Sequence, residues 1–237
     1  MPILLLIRHA TNDFVKTGRL PGHSPNIHLN EEGRAQAEAL GKLLSSRKIH
    51  AVYASHLERA IETAFRVAAP HNLSIGIRPG MADIDNGDFT GKEIKKLSEN
   101  EATKDLWKVV VETPSQAKFP NGEGMLDMQQ RVVSTLEGIL KAHPDLEMEE
   151  PVEEPVEEPA KEGEPDAKPT KRTEPQTIAV VAHADVIKAA LAHYLGMPFD
   201  LFQRLGTSPA SVSTVVLHTD DKTGKQHVMV QSVNQTT

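Results

Sequence analysis

Residues 4–10 read LLLIRHA, and their order decides the fold. Five apolar side chains, Ile3 to Ile7, follow one another without alternation, the pattern of a strand buried on both faces of a mainly parallel sheet. Arg8 and His9 then stand where the apolar run stops. In open α/β sheets the carboxyl ends of strands and the neighbouring helix N-termini form the ligand crevice, where free N–H groups favour an anion.

Two later segments repeat this design. AVYA (51–54) is followed by Ser55, His56, Leu57, Glu58 and Arg59, and TIAVVA (177–182) by His183. Arg8, His9, Arg59 and His183 are therefore expected to converge on one anion pocket. A cation in the first turn of a helix, as at Arg59, opposes the macrodipole by up to about 1 kcal/mol. Glu58 offsets this locally, or a phosphate shared with Arg8 does so through bidentate guanidinium contacts. A neutral imidazole whose second nitrogen is held as N–H is a nucleophile toward phosphorus. A nearby carboxylic acid then protonates the leaving oxygen and, as carboxylate, activates water.

Composition narrows the field. The 237 residues are 38% apolar and 25% charged, enough for a full core. No apolar run reaches the roughly 18 to 20 residues of a membrane span, and a cytoplasmic location is expected. Without cysteine there is no disulfide and no thiolate chemistry. The net charge of −7 sits in EMEEPVEEPVEEPAKEGEPDAKPTKRTEP (147–175), which holds eleven acidic and four basic side chains. The remainder is neutral, so bulk charge points to neither nucleic acid nor membrane. Six of the sixteen prolines fall in this segment, which reads as a disordered insertion, or alternatively as an acidic docking tail. The strand TIAVVA resumes directly after it, so residues 1–146 and 176–237 read as one domain.

Around the insertion, strands and helices alternate. Helices are expected from Glu31 to Ser46 behind an Asn30 cap, with Ala35, Ala39, Leu40 and Leu43 on one face, and from a Ser55–Glu58 capping box to Ala69. Others are expected near 92–100, from Gly122 to Ala142 with a core stripe of Met125, Met128, Val132, Leu136, Ile139 and Leu140, and from Asp185, as N-cap, to Leu195. A weak strand covers Ile75 to Ile77, and ASVSTVVLH (210–218) with QHVMVQSV (226–233) forms an edge hairpin. The fold expected is a three-layer α/β/α sandwich with a mainly parallel central sheet and an antiparallel edge hairpin.

With these residues in view, the chain resembles the histidine phosphatase superfamily (phosphoglycerate mutase-like), and is read with its branch 2 relatives. IRHA resembles the RHG signature. GRLPGHSPNIHLNEEGRAQAEALG (18–41), ASHLERAIETA (54–64), MADIDNGDFTGK (81–92), FPNGEG (119–124) and VVAHADVIKAAL (180–191) resemble its later motifs in order. The resemblance implies His9 as phosphate acceptor, Arg8 and Arg59 as clamps and His183 as a further phosphate contact. More weakly, it implies Pro21, Gly22 and the Ala184 amide as substrate contacts. It implies no cofactor and no metal.

Three positions depart from the family pattern. Ala10 replaces a glycine, which narrows the site. Val15 replaces an asparagine, leaving Thr11 or Asn12 to supply that polar contact. Asp83 stands where glutamate is common, with a reach about 1.5 Å shorter, so the backbone sits closer or Asp85 or Asp88 takes over; Asp83 is the first choice.

The function expected is hydrolysis of a small phosphomonoester through a phosphohistidine. A mutase-type transfer is the alternative, disfavoured because residues 91–120 are short where the mutases extend around substrate. A metallohydrolase using His9, Asp13, His183 and Asp185 would set arginines beside a cation, and a silent phospholigand-binding protein would not need a nucleophilic His9. A homodimer is allowed by the sequence, which does not name the substrate.

Overall fold

The structure, a computed structural model, describes residues 2–144, 146–147, 173–220, 223 and 225–236. Its elements in chain order are β1 (Ile3–Arg8), α1 (Asp13–Lys16), α2 (Glu31–Leu44), β2 (Ala51–Ala54), α3 (Glu58–Ala68) and β3 (Ile75–Ile77). Then come α4 (Ile94–Glu99), α5 (Lys104–Glu112), α6 (Met125–Lys141), β4 (Leu146–Glu147) and β5 (Thr173–Glu174). β6 (Thr177–Ala182), α7 (Ala184–Tyr194), β7 (Val212–Thr219) and β8 (Gln226–Gln235) close the chain.

Among the described residues, six strands form one sheet in the order β3-β2-β6-β1-β7-β8. The first four are parallel, while β7 runs antiparallel to β1 and pairs with β8 as the edge hairpin. The apolar run of β1 is explained by its central place. Leu4 and Leu6 join a core with α6 and α7, whereas Leu5 and Ile7 join a second core with α2 and α3. Side chains that alternate between two buried faces must all be apolar. The three-layer α/β/α architecture is as the sequence implied. No helix among the described residues is long and apolar enough to cross a membrane.

Of the acidic segment, residues 148–172, and with them the reading of that stretch as disordered, lie outside the described residues. At its flanks β4 and β5 pair antiparallel, and Glu174 accepts from Lys48 Nζ at 2.7 Å.

The structure alters four local readings. The buried face of α2 is Gly33, Ala37, Leu40, Gly41 and Leu44, while Leu43 is exposed. Glycines here are the packing positions: a Cβ on Gly33 would lie 1.9 Å from the Thr11 carbonyl oxygen, and one on Gly41 would lie 2.4 Å from that of Arg66. No Ser55–Glu58 capping box forms, because Leu57 holds the α3 cap position without a side-chain bond and Ser55 turns to His183. The cap of α7 is His183 rather than Asp185, which lies in the first turn. α5 is an additional helix, in a stretch where polar residues mask the apolar spacing of Leu106, Val109 and Val110.

Close approach of α2 to the loop after β1 yields a prediction. Gly33→Ala is expected to destabilise the protein by about 1–3 kcal/mol through overpacking, read from the midpoint of urea unfolding at unchanged slope.

Candidate active site

β1, β2 and β6 lie side by side, so the residues after each of them meet at one end of the sheet. The His9 and His183 ring centroids are 5.1 Å apart. Both rings are buried, as is Arg59, which has no exposed surface.

His9 is held from behind. Its Nδ1 is 2.7 Å from its neighbour Ala10's carbonyl oxygen, so Nδ1–H donates and Nε2 keeps its lone pair free. The loop is fixed by the Ala10 N–H, which donates to Thr63 Oγ1 at 3.0 Å. Ala10 does not narrow the site: it is fully buried and packs in the apolar core with Leu5, Ile7 and Ala37. Burial, and then the neighbouring His183 and the charges of Arg59 and Arg8, hold His9 well below the usual histidine range. It is neutral at pH 7.

His183 is likewise held well below that range, by burial and then by Arg59, Arg131 and Arg8. Its Nε2 is 2.8 Å from Ser55 Oγ, which also accepts the Leu57 N–H at 3.4 Å. The Asp83 carboxylate 3.6 Å from Nδ1 favours the tautomer with its hydrogen there, in which Nε2 accepts from the Ser55 hydroxyl.

Arg59 Nη2 donates to the Gly22 carbonyl at 2.8 Å and to Asp83 Oδ2 at 3.1 Å. Gly22 has φ +47°, a left-handed conformation that presents this carbonyl without steric cost. Arg8 Nη1 donates to the Thr207 carbonyl at 2.6 Å. Burial lowers the Arg8 pKa, against the opposing charges of Asp83 and Asp185. Among the described residues, Arg8 Nε, Arg59 Nε and Nη1, and His183 Nδ1 are buried without hydrogen-bond partners. A pocket rich in unpaired donors is built for an anion.

Of the three candidate carboxylates, the structure brings Asp83 to this cluster. Asp85 instead accepts from the Gly87 N–H, and the exposed Asp88 bonds Asn121. The backbone that carries Asp83 is held in place: Arg131, locked on Glu123 by bonds of 2.6 and 2.8 Å, donates to the carbonyls of Gly80, Ala82 and Asp83. His23 Nε2 adds a bond to the Asp83 carbonyl at 2.6 Å.

A cleft of about 470 Å³ opens over this cluster, lined by Arg8, His9, Val15, Pro21, Asp83, Asn86, Ala184 and Thr207 among others. The fully buried Arg59 and His183, like Thr11 and Gly22, are not on its wall, and the Thr11 N–H is committed to Gln36 Oε1. Asn12 Oδ1 caps α1 by accepting the Val15 N–H, while its Nδ2 is buried without a partner among the described residues. No group of three or more His, Asp or Glu side chains suited to a metal ion occurs among the described residues.

Residues 4–148 and 166–229 match the model of the histidine phosphatase superfamily (branch 1). The chain belongs to this superfamily. The branch is 1, which corrects the reading of branch 2. The chain is 26% identical over 219 residues to phosphoserine phosphatase 1 of Hydrogenobacter thermophilus, covering 92% of this chain and 87% of that protein. It is 28% identical over 143 residues to phosphoglycerate mutase-like protein 4 of Arabidopsis thaliana, covering 59% and 61%. A mycobacterial glucosyl-3-phosphoglycerate phosphatase complexed with VO3 shares the fold, with a TM-score of 0.76 at 21% identity over 99% of this chain and 100% of that one.

Ser55, Asn86, Thr207 and the Glu123–Arg131 pair were not singled out by sequence. Ser55 fits a capping pattern equally well, and Arg131 reads as one more polar position on an amphipathic helix.

The histidines carry a pH prediction. Above pH 6.5 neither the folded nor the unfolded state protonates them; below it the unfolded chain takes up protons that His9 and His183 refuse. Stability is therefore expected to fall as pH drops through 6.5, by up to about 1.4 kcal/mol per pH unit for each ring. Urea unfolding across pH 7 to 5 should show a shallower slope in His9→Gln than in the parent.

Proposed function

We propose that the protein is a metal-independent phosphomonoester hydrolase working through a phosphohistidine on His9. The observation that carries this reading is the free Nε2 of a neutral His9, with its opposite nitrogen tied to a carbonyl, beside two guanidiniums with unpaired N–H groups. A phosphoryl group held by Arg8 Nε and Arg59 Nε and Nη1 has its negative charge spread onto fixed donors. His183 Nδ1–H contributes a further donor.

The Nε2 lone pair forms the P–N bond as the P–O bond to the leaving group breaks, and Asp83 gives its proton to the departing oxygen. In the second half the Asp83 carboxylate takes a proton from water. That water's oxygen bonds to phosphorus, the P–N bond breaks and its electron pair returns to His9. Arg131 and Glu123 act as positioning residues that set where Asp83 stands. The similarity to a phosphoserine phosphatase over most of both chains supports hydrolysis over transfer.

The test combines trapping with turnover. A quench during steady-state hydrolysis of a phosphomonoester is expected to retain acid-labile, base-stable phosphate on the protein. Turnover is expected to be unaffected by EDTA and lost by at least about a thousandfold in His9→Ala. Full turnover in His9→Ala overturns the assignment. Phosphate passed to an added alcohol in preference to water indicates a transferase. In Arg131→Lys, where the bidentate hold on Glu123 is gone, kcat is expected to fall by about tenfold to a hundredfold, and more for esters of poor leaving alcohols than for aryl esters.

A further inference from the structure

The cleft has a cationic and an apolar lining. Besides Arg8, His9 and Asp83, it is walled by Leu20, Ile94, Trp107, Val110, Val111 and Leu205. Ile94 and Val111 lie on α4 and α5 with 39% and 45% of their surface exposed, so this wall presents apolar side chains to whatever enters. The cations lining that region are already engaged. Arg19 Nη2 pairs with Glu93 at 3.1 Å. Lys188 Nζ lies 3.4 Å from Asp185, donates to Gln203 Oε1 at 3.0 Å and sits 5.7 Å from the Phe202 ring centroid. Asp185 also lines the cleft, where it offsets the Lys188 charge.

From this arrangement, and resting on the phosphatase reading above, we infer that the preferred substrates are phosphate esters of apolar, uncharged alcohols rather than of hydroxy acids. A leaving group bearing a carboxylate would carry its charge onto this apolar lining, where Arg19 and Lys188 already have acidic partners in Glu93 and Asp185. An alkyl-aryl leaving group covers Ile94, Trp107 and Val111 instead and removes their apolar surface from water. The selectivity thus differs from what the phosphoserine phosphatase relative would suggest.

The experiment compares kcat/KM for 2-phenylethyl phosphate, O-phosphoserine and 3-phosphoglycerate, all esters of primary alcohols, so leaving-group reactivity is closely matched. The full chain is expected to favour 2-phenylethyl phosphate by about tenfold or more over either acid. Trp107→Ala is expected to reduce that ratio. Val111→Lys, a substitution at a half-exposed position that the fold tolerates, is expected to reduce it by about tenfold by supplying the missing free cation. Equal or faster turnover of either acid by the parent overturns the inference while leaving the phosphatase reading intact, as does a ratio unmoved in both variants. Turnover of all three esters at the parental rate in His9→Ala overturns the phosphohistidine reading instead. No turnover of any of them by the parent overturns both.

Discussion

The fully buried guanidinium of Arg59 is the constraint around which this end of the molecule is organised. A charge without water must be met by fixed partners, and its Nη2 finds two of them, the Gly22 carbonyl and Asp83. These come from segments on either side of it in sequence, so one side chain joins the loop after α1, the start of α3 and the loop after β3. Its Nε and Nη1 groups remain without partners among the described residues. Structure and chemistry therefore share a single residue: what pins the loops together also leaves donors for an anion.

Burial acts on the imidazoles in the opposite sense from its action on the wall. Deep in the sheet end and next to two guanidiniums, a second pair of positive charges would be intolerable, so both rings are kept neutral. Neutrality makes His9 nucleophilic and lets His183 both accept from Ser55 and donate from Nδ1. The low pKa is the ordinary consequence of where the rings sit, without any dedicated base to activate them.

The mainly parallel sheet with its edge hairpin, the two helical layers and the convergence of Arg8, His9, Arg59 and His183 were legible because an unbroken apolar run ending in a polar residue has few structural explanations; the order of the strands was not. Asp83 was legible only as one of three carboxylates, since choosing among them depends on how Arg131 and His23 fix the backbone, information that lies 48 and 60 residues away in sequence. The face of α2 is hidden for a related reason. Periodicity counts large apolar side chains, whereas Gly33 and Gly41 pack by having none. Ser55 illustrates the remaining ambiguity, because a hydroxyl just before a helix satisfies a local capping pattern and a tertiary contact equally well, and only the position of His183 decides.

The apolar wall comes largely from α4 and α5, one contiguous stretch that contributes no strand to the sheet. The phosphate end, by contrast, is assembled from strand termini in the centre of the molecule. Substitution within residues 94–112 would therefore reshape the apolar lining without moving the strand ends that carry Arg8, His9 and His183.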